Sequence, residues 1–541
     1  MSNSTTPVVD LPAAPFLDAL PDTASPDYPM ALARRSARLT MKSIFDKIPF
    51  PWQENIIAHL NMMRMPRRGI PPAAVLLIQP TGGGKSMVRD TFAAAHGGIH
   101  WSISPLLSLT ADQKTKLNKV AIQDDGAVVA INLDFYRTSK QRSIVIKKIL
   151  DLPPNTSTTI MIFSSPQALT KVKMFHEFFK KITDFKTSMG PKLQSFTVDE
   201  LHLFTKFGMH FRSEFLALKP LVFNRLKETA TKTYCPILIM TATCTKSVVN
   251  QFEQMTGLTF SKPNNIFWPN PIGMQRRTAA IRLHVTTHIQ KVLNAQIRRV
   301  SGIYKSIRNY RKQFIVFGNS RVRLEQFHLE TKDYLNDGDF HGDLVLITGP
   351  MLKEQKFFYT DLFLNTAAPD NNENIGKRKY DCIGCFATRS LGSAGWDGAD
   401  VHLVFSVDFP TDILSVRQEI GRCGRRFRDL SCTPTIKGDM DAYHMVFSLR
   451  SIIYLIRRMY LPITDTSNKA KDIVLVDQIL SLSDHRAQLW NDIIDMMRVF
   501  IIPQECLHAA LERRLANPYC TEIVEIEPCH NLCDYCDGRY K

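Results

Sequence analysis

Two parallel α/β domains in tandem, followed by a small helical, cysteine-rich region, is the architecture the sequence predicts. Three observations carry it. Short apolar runs alternate with amphipathic stretches in two successive series, the rhythm of parallel sheets whose loops at strand C-termini carry chemistry. A glycine-rich loop follows the first apolar run and does not recur in the second series. Five of the eleven cysteines crowd into the tail from Cys506 onward, while the other six are scattered between Cys235 and Cys432.

Taken in order, residues 1–42 are rich in Pro, Ser, Thr and Ala without helical or strand periodicity, and read as a mobile tail. Within it, Arg34-Arg35-Ser36-Ala37-Arg38 reads as a solvated basic patch, with a weak nuclear-import element as the alternative. Residues 43–265 form the first α/β domain. Its strands are expected at Val75–Ile78, Ile99–Ile103, Ala127–Ile131, Thr159–Phe163, Ser195–Val198 and Ile237–Met240, with a helix from Met87 to Ala95. Residues 266–450 form the second, beginning around the Pro-containing stretch Asn264–Pro271, with strands at Phe314–Phe317, Leu344–Ile347, Cys382–Ala387, His402–Phe405 and His444–Phe447. Cys382 and Cys385 lie inside an apolar run and read as small buried residues. Residues 451–541 look helical, then irregular and cysteine-rich.

Composition narrows the class. Of 541 residues, 44% are apolar, ordinary for a globular protein. Lys plus Arg number 68 against 51 Asp plus Glu; the net charge of +17 favours a polyanionic partner, nucleic acid before membrane. No apolar stretch is long enough to span a bilayer, and Met1–Leu20 has no signal-peptide pattern. The protein is therefore expected inside the cell, not secreted: in the nucleus of a eukaryote, otherwise in the cytoplasm. In a reducing compartment the clustered cysteines read as metal ligands before disulfides.

The loop Gln79-Pro80-Thr81-Gly82-Gly83-Gly84-Lys85-Ser86 reads as a P-loop. Thr81, Gly82, Gly83 and Gly84 would cradle phosphates with backbone N–H groups, Lys85 would reach the β/γ-phosphates, and the Ser86 hydroxyl would ligate Mg²⁺. The first position of the usual G-x-x-x-x-G-K-[ST] pattern is Gln79 instead of glycine. After the strand ending at Val198, Asp199 would hold Mg²⁺ and Glu200 would orient and deprotonate the attacking water. Thr241 and Thr243 sit at the end of another strand, where short hydroxyls can bond both the acidic pair and an opposing domain. Thr245 reads as the cap of the next helix.

Pro80–Ser86, Ser104-Pro105-Leu106-Leu107-Ser108-Leu109 with Asp112-Gln113, and Asp199-Glu200-Leu201-His202 together closely resemble the RecQ family of superfamily 2 DNA helicases. In that family the position of Gln79 is free of glycine. The resemblance implies two RecA-like domains and ATP-dependent movement 3′-to-5′ on single-stranded DNA, with unwinding of forked DNA in repair and recombination. Phe50-Pro51-Trp52-Gln53 looks like the family's adenine-reading element, with Gln53 as the base contact. Leu203–Arg212 is similar to the aromatic-rich loop that links single-strand binding to hydrolysis. Phe204, Phe207, Phe211 and Arg212 offer π faces and a cation for stacked bases, although their spacing also fits one buried helical face. Phe207 stands where the family generally has tryptophan, and Met209-His210 replaces the common His-Asp.

In the second domain, Gln418-Glu419-Ile420-Gly421-Arg422-Cys423-Gly424-Arg425 matches the Q-x-x-G-R-x-G-R element of superfamily 2. Arg422 and Arg425 would stabilise charge on the transferring phosphoryl group from across a closing cleft, and Gln418 would sense nucleotide. Gly318-Asn319-Ser320-Arg321 looks like the fourth motif, placing Asn319 and Arg321 at DNA. Ala387-Thr388 and Ala394-Gly395-Trp396-Asp397 resemble the fifth, placing Thr388 at the DNA backbone and Asp397 at the ATP site.

In the tail, Cys529, Cys533 and Cys536 offer three close thiolates, and Cys506 or Cys520 completes a set suited to structural Zn²⁺; His530 is a rival ligand. The family carries a zinc-binding subdomain after its second domain, with its first cysteine on a helix preceding the close trio, which favours Cys506. The few residues after Cys536 leave no room for the family's winged helix, so a member ending after the zinc subdomain is expected. The resemblance covers about residues 45–541, strongest at the P-loop, the acidic loop and the arginine motif. Two other readings share these motifs: a DNA-binding protein descended from a helicase with weak or no unwinding, and an RNA-remodelling ATPase.

Overall fold

The computed structural model describes residues 27–64, 74–79, 83–104, 117, 128–184, 190–203, 217–227, 235–260, 265–267, 279–305, 313–336, 343–365, 382–389, 401–423, 442–460, 475–515 and 533–538. Among these, strands β1 (Val75–Ile78), β2 (Gly98–Ile103), β3 (Val128–Asn132), β4 (Thr159–Ser164), β5 (Leu193–Asp199), β6 (Ile237–Thr241) and β7 (Ile266–Phe267) form one sheet, ordered β3-β4-β2-β5-β6-β1-β7. Strands β8 (Ala280–Val285), β9 (Gln313–Gly318), β10 (Asp343–Ile347), β11 (Cys382–Thr388), β12 (Val401–Val407) and β13 (Ala442–Phe447) form a second, ordered β10-β11-β9-β12-β13-β8. Every pairing is parallel, as the two-domain expectation requires. Continuous apolar runs such as Val75-Leu76-Leu77-Ile78, buried along their whole length, are what a sheet covered on both faces demands.

The covering helices in the first domain are α1 (Tyr28–Phe45), α2 (Pro51–Met63), α3 (Lys85–His96), α4 (Ser139–Leu150), α5 (Pro166–Lys171), α6 (Lys173–Thr183) and α7 (Lys246–Thr256). Thr245 caps α7 by accepting from Val248 N at 3.3 Å, as its position in the sequence suggested. The second domain carries α8 (Ile289–Lys305), α9 (Arg321–Asn336), α10 (Lys353–Asn365) and α11 (Ile413–Ile420), followed by α12 (Leu449–Tyr460), α13 (Leu475–Phe500) and α14 (Leu507–Arg514).

Two expectations are corrected. Residues 1–42 are not a structureless tail throughout: α1 begins at Tyr28, with Pro29 in its first turn, where a missing N–H costs nothing. Ala33, Ala37 and Met41 recur every four residues and are buried; Ala37 and Met41 pack with Ile56, Leu60, Leu77 and Phe92. A stripe made largely of alanine carries little hydrophobic signal, so its period went unseen. Arg38, in the basic run, pairs with buried Glu54 at 2.7 Å, which ties α1 to α2. The second correction concerns the boundary at 265/266: β7 pairs with β1 and extends the first sheet to Phe267.

The C-terminal helices do not stand apart from the second domain. Met496, Val499 and Phe500 of α13, Leu507 and Leu511 of α14, and Cys533 share one buried cluster with Ile281 of β8, Tyr443 of β13 and Ile420 of α11. Burying a leucine of this kind stabilises by about 2 kcal/mol, so these contacts hold α13 and α14 onto the second sheet.

Candidate active site

The site lies where β1, β5 and β6 end together. Registers Ile78↔Thr241 and Asp199↔Met240 bring Gln79, Asp199 and Thr241 alongside each other, and Gln79 N donates to Thr241 O at 3.1 Å. The loop leaving β1 enters α3 at Gly84, whose φ of 92° is left-handed; a Cβ there would sit 2.7 Å from Gln53 Nε2, so glycine is required. Gln53 bolts α2 to this loop. Its Oε1 accepts from Phe50 N at 2.8 Å and its Nε2 donates to Gly84 O at 3.0 Å. Lys85 is buried and its ammonium donates to Gln79 O at 2.7 Å. Gly83 and Ser86 are half-buried beside it; Thr81 and Gly82 lie outside the described residues.

Asp199 and Glu200 are both buried. Glu200 adopts φ 58°, a left-handed conformation costing about 1 kcal/mol for a residue with a Cβ, and its N–H donates to Asp199 Oδ1 at 3.0 Å. This turn aims Glu200 Oε2 to within 3.5 Å of His202 Nδ1, and that oxygen makes no hydrogen bond among the described residues.

His202, to which the sequence reading gave no role, is the centre of the arrangement. The Thr241 hydroxyl donates to Thr243 O at 2.8 Å, so it must accept from His202 Nδ1, 2.9 Å away. The proton therefore sits on Nδ1, and Nε2 is left to accept from the Gln418 side-chain amide of the other domain. A directed chain thus runs Gln418→His202→Thr241→Thr243 across the cleft. Leu414, on the same helix as Gln418, packs against both domain cores. The signal was in the sequence: Asp-Glu-x-His places an imidazole just past the acidic pair.

Gln418 and Arg422 are buried around the C-terminal end of α11; at its N-terminus Asp412 accepts from Ser415 N at 2.7 Å. Asn319, Arg321 and Thr388 sit instead at strand ends of the second sheet. Asn319 donates to Phe409 O at 3.3 Å, and exposed Arg321 pairs with Glu325 at 2.6 Å. Thr388, half-buried, ends β11 opposite Gly318. Phe204, Phe207, Phe211, Arg212, Asp397 and Arg425 lie outside the described residues.

A buried pair behind the site also escaped the sequence reading. Arg89 bonds Asp90 at 2.8 Å and lies over the Phe163 ring at 5.0 Å. Burial pushes the Asp90 carboxyl up, Arg89 draws it down, and the negative charge of Asp199 raises it again. Elsewhere, burial pushes the Cys235 thiol up to about 12 and raises Cys244 as well, which leaves both inert in the core.

In the tail, the sulfurs of Cys506, Cys533 and Cys536 lie within 4.8 Å of one another, with Cys506 and Cys533 at 3.8 Å. That is far beyond a disulfide bond. It matches the spacing of about 3.8 Å between two thiolates bound tetrahedrally to zinc, with Zn–S near 2.3 Å. Cys529, Cys520 and His530 lie outside the described residues. Cys506 occupies the N-cap position of α14, where the helix dipole favours the negative charge of a thiolate ligand. The turn docks on edge strand β8: Asp534 N donates to Ile281 O at 3.2 Å, Leu283 N donates to Asp534 Oδ2 at 2.7 Å, and Arg282 pairs with Asp534 and Asp537. It covers the edge of the sheet at β8, which has no further strand beside it among the described residues.

No protein-family model matches the chain. In sequence it is similar to ATP-dependent DNA helicases of the RecQ family. It is 26% identical to the ATP-dependent DNA helicase Q1 of Mus musculus over 233 residues, 42% of this chain and 32% of that protein. It is 22% identical to the ATP-dependent DNA helicase RecQ of Bacillus subtilis over 349 residues, 64% of this chain and 48% of that protein. The matches thus span about a third to a half of those relatives' length. In structure it is similar to the Mycobacterium smegmatis helicase Lhr bound to ssDNA and AMP-PNP. The TM-score is 0.52 and the identity 18%, over 86% of this chain and 56% of that one, a likeness of fold alone.

Proposed function

We propose that the chain is an ATP-dependent DNA helicase of RecQ type, which hydrolyses ATP between its two α/β domains and moves 3′-to-5′ on single-stranded DNA. The observation that carries this reading is the Gln418–His202 contact, which sets the C-terminal end of α11, just ahead of Arg422, beside the acidic pair.

The loop before α3 would bind phosphates, with Lys85 exchanging the Gln79 carbonyl for a phosphate oxygen. Gln53 keeps one N–H and one lone pair beyond its bonds to Gly84 and Phe50, the donor–acceptor couple an adenine edge needs. Ser86 and Asp199 offer the hydroxyl and carboxylate oxygens that suit Mg²⁺, which when bound would neutralise charge on the phosphates. Glu200 Oε2, buried and 3.5 Å from His202 Nδ1, would take a proton from water. Arg422, and Arg425 by its place in the motif, would supply charge from the second domain, so that hydrolysis needs the cleft closed. The cysteine cluster would hold a structural Zn²⁺ through Cys506, Cys529, Cys533 and Cys536.

Strand displacement tests the reading. ATP-dependent unwinding of a 3′-tailed or forked DNA duplex, with none on a 5′-tailed one, is the expected result. Tight DNA binding without displacement or turnover would favour the DNA-binding alternative. Equal displacement of an RNA duplex would favour RNA remodelling.

A further inference from the structure

Arg389 follows directly on Thr388 at the end of β11, and its guanidinium is buried. Its Nε donates to Glu419 Oε1 at 2.7 Å; Nη2 bonds the Ser406 hydroxyl and donates to Asp408 O at 3.0 Å. Glu419, at 0% exposure, neighbours Gln418 on α11, and its other oxygen accepts from the Tyr443 hydroxyl at 2.9 Å. Asp408 holds a left-handed φ of 75°, and its carboxylate pairs with Arg323 in the first turn of α9, which opens at Arg321 just after Asn319. One polar network therefore runs from the ends of β9 and β11, through Asp408 and Arg389, to the helix that reaches the first domain.

We propose that Arg389 is a positioning residue that couples nucleic-acid binding at these strand ends to α11, and through it to the ATP site. The proposal rests on the function proposed above. A fully buried carboxylate cannot be parted from its cation without a large desolvation cost, so Glu419 must follow Arg389. The planar fork of Arg389 fixes direction as well as distance, because it bonds the carboxylate and the β12 chain end together. A strand-end loop that shifts on binding a phosphate backbone would therefore carry α11, Gln418 and Arg422 with it. An ion pair serving stability alone would not need to follow immediately on Thr388 or reach across β9 to β12.

The test measures ATPase rate against oligo-dT concentration for the wild type, Arg389→Lys, and a double variant, Arg389→Met with Glu419→Gln. The double variant leaves no lone buried charge, so its thermal midpoint should recover towards wild type. In both variants the stimulation by oligo-dT is expected to fall by about 10-fold, more than the unstimulated rate does. Stimulation at the wild-type ratio in Arg389→Lys, or ratios that recover with the thermal midpoint, would overturn the proposal. Should the variants not fold, hydrogen exchange on the wild-type protein decides: oligo-dT should change protection of the α11 amides, and unchanged protection refutes the coupling. A wild type that hydrolyses ATP without any response to oligo-dT would instead refute the DNA-driven function itself, and the coupling with it.

Discussion

Lys85→Ala is expected to lower ATP turnover by at least about 100-fold while leaving the fold intact. A preorganised donor in a water-poor site is worth roughly 10²–10³ in kcat when charge develops on the atom it faces. Lys85 has that character: its stem is buried and its ammonium is held at the mouth of the loop, 2.7 Å from Gln79 O. Alanine is a good residue in the first turn of α3, so the helix should persist. Turnover should therefore collapse with a thermal midpoint close to wild type, as a steady-state ATPase assay beside a melt would record. Arginine is not expected to rescue it, since a planar fork does not replace a compact point charge. Turnover in Lys85→Ala near the wild-type rate would remove the phosphate-binding role of this loop.

The second large effect concerns the tail. Purified protein is expected to contain zinc at near one equivalent, and Cys506→Ser or Cys533→Ser to lose it. Structural zinc contributes about 10–16 kcal/mol in small zinc-dependent folds, more than any single apolar contact here. Its loss should free Cys533–Gly538 from β8, leaving Arg282 without Asp534 and exposing the sheet edge. It should also loosen α14, whose Glu512 forms a buried pair with Arg417 of α11 at 3.0 Å. Hydrogen exchange reads this locally: the Leu283 amide, protected by Asp534, should exchange faster after chelation. No zinc by metal analysis, with Leu283 exchange unchanged by chelator, would refute the site.

The apolar strands were legible because a parallel strand buried on both faces leaves an unbroken hydrophobic run. The core strands of both sheets lie where those runs lie. Edge strand β8 was not legible: Arg282 and His284 interrupt its apolar pattern, and the docked turn with Asp534 and Asp537 explains the arginine. Helix α1 hid behind an alanine stripe. At the candidate site, the P-loop, the acidic pair and the arginine motif could be read because each needs fixed residue types at fixed spacing. Arg389 could not be read in the same way, and His202, though visible in the Asp-Glu-x-His spacing, showed no partner there. Their partners, Gln418 and Glu419, are distant in sequence, and only the fold makes them neighbours. The Gln53 strut shows a different limit, since its bond to Gly84 depends on a left-handed turn that sequence only suggests.

The central claim is that two domains share one ATP site whose closure answers to DNA. Its most direct test is the ATPase rate of the full chain with and without single-stranded DNA, in the presence of Mg²⁺. The account predicts slow hydrolysis alone and a rise of at least about 10-fold with single-stranded DNA, the scale of a coupling of one to two kcal/mol. Hydrolysis at one rate regardless of DNA, or no hydrolysis in either case, would contradict it.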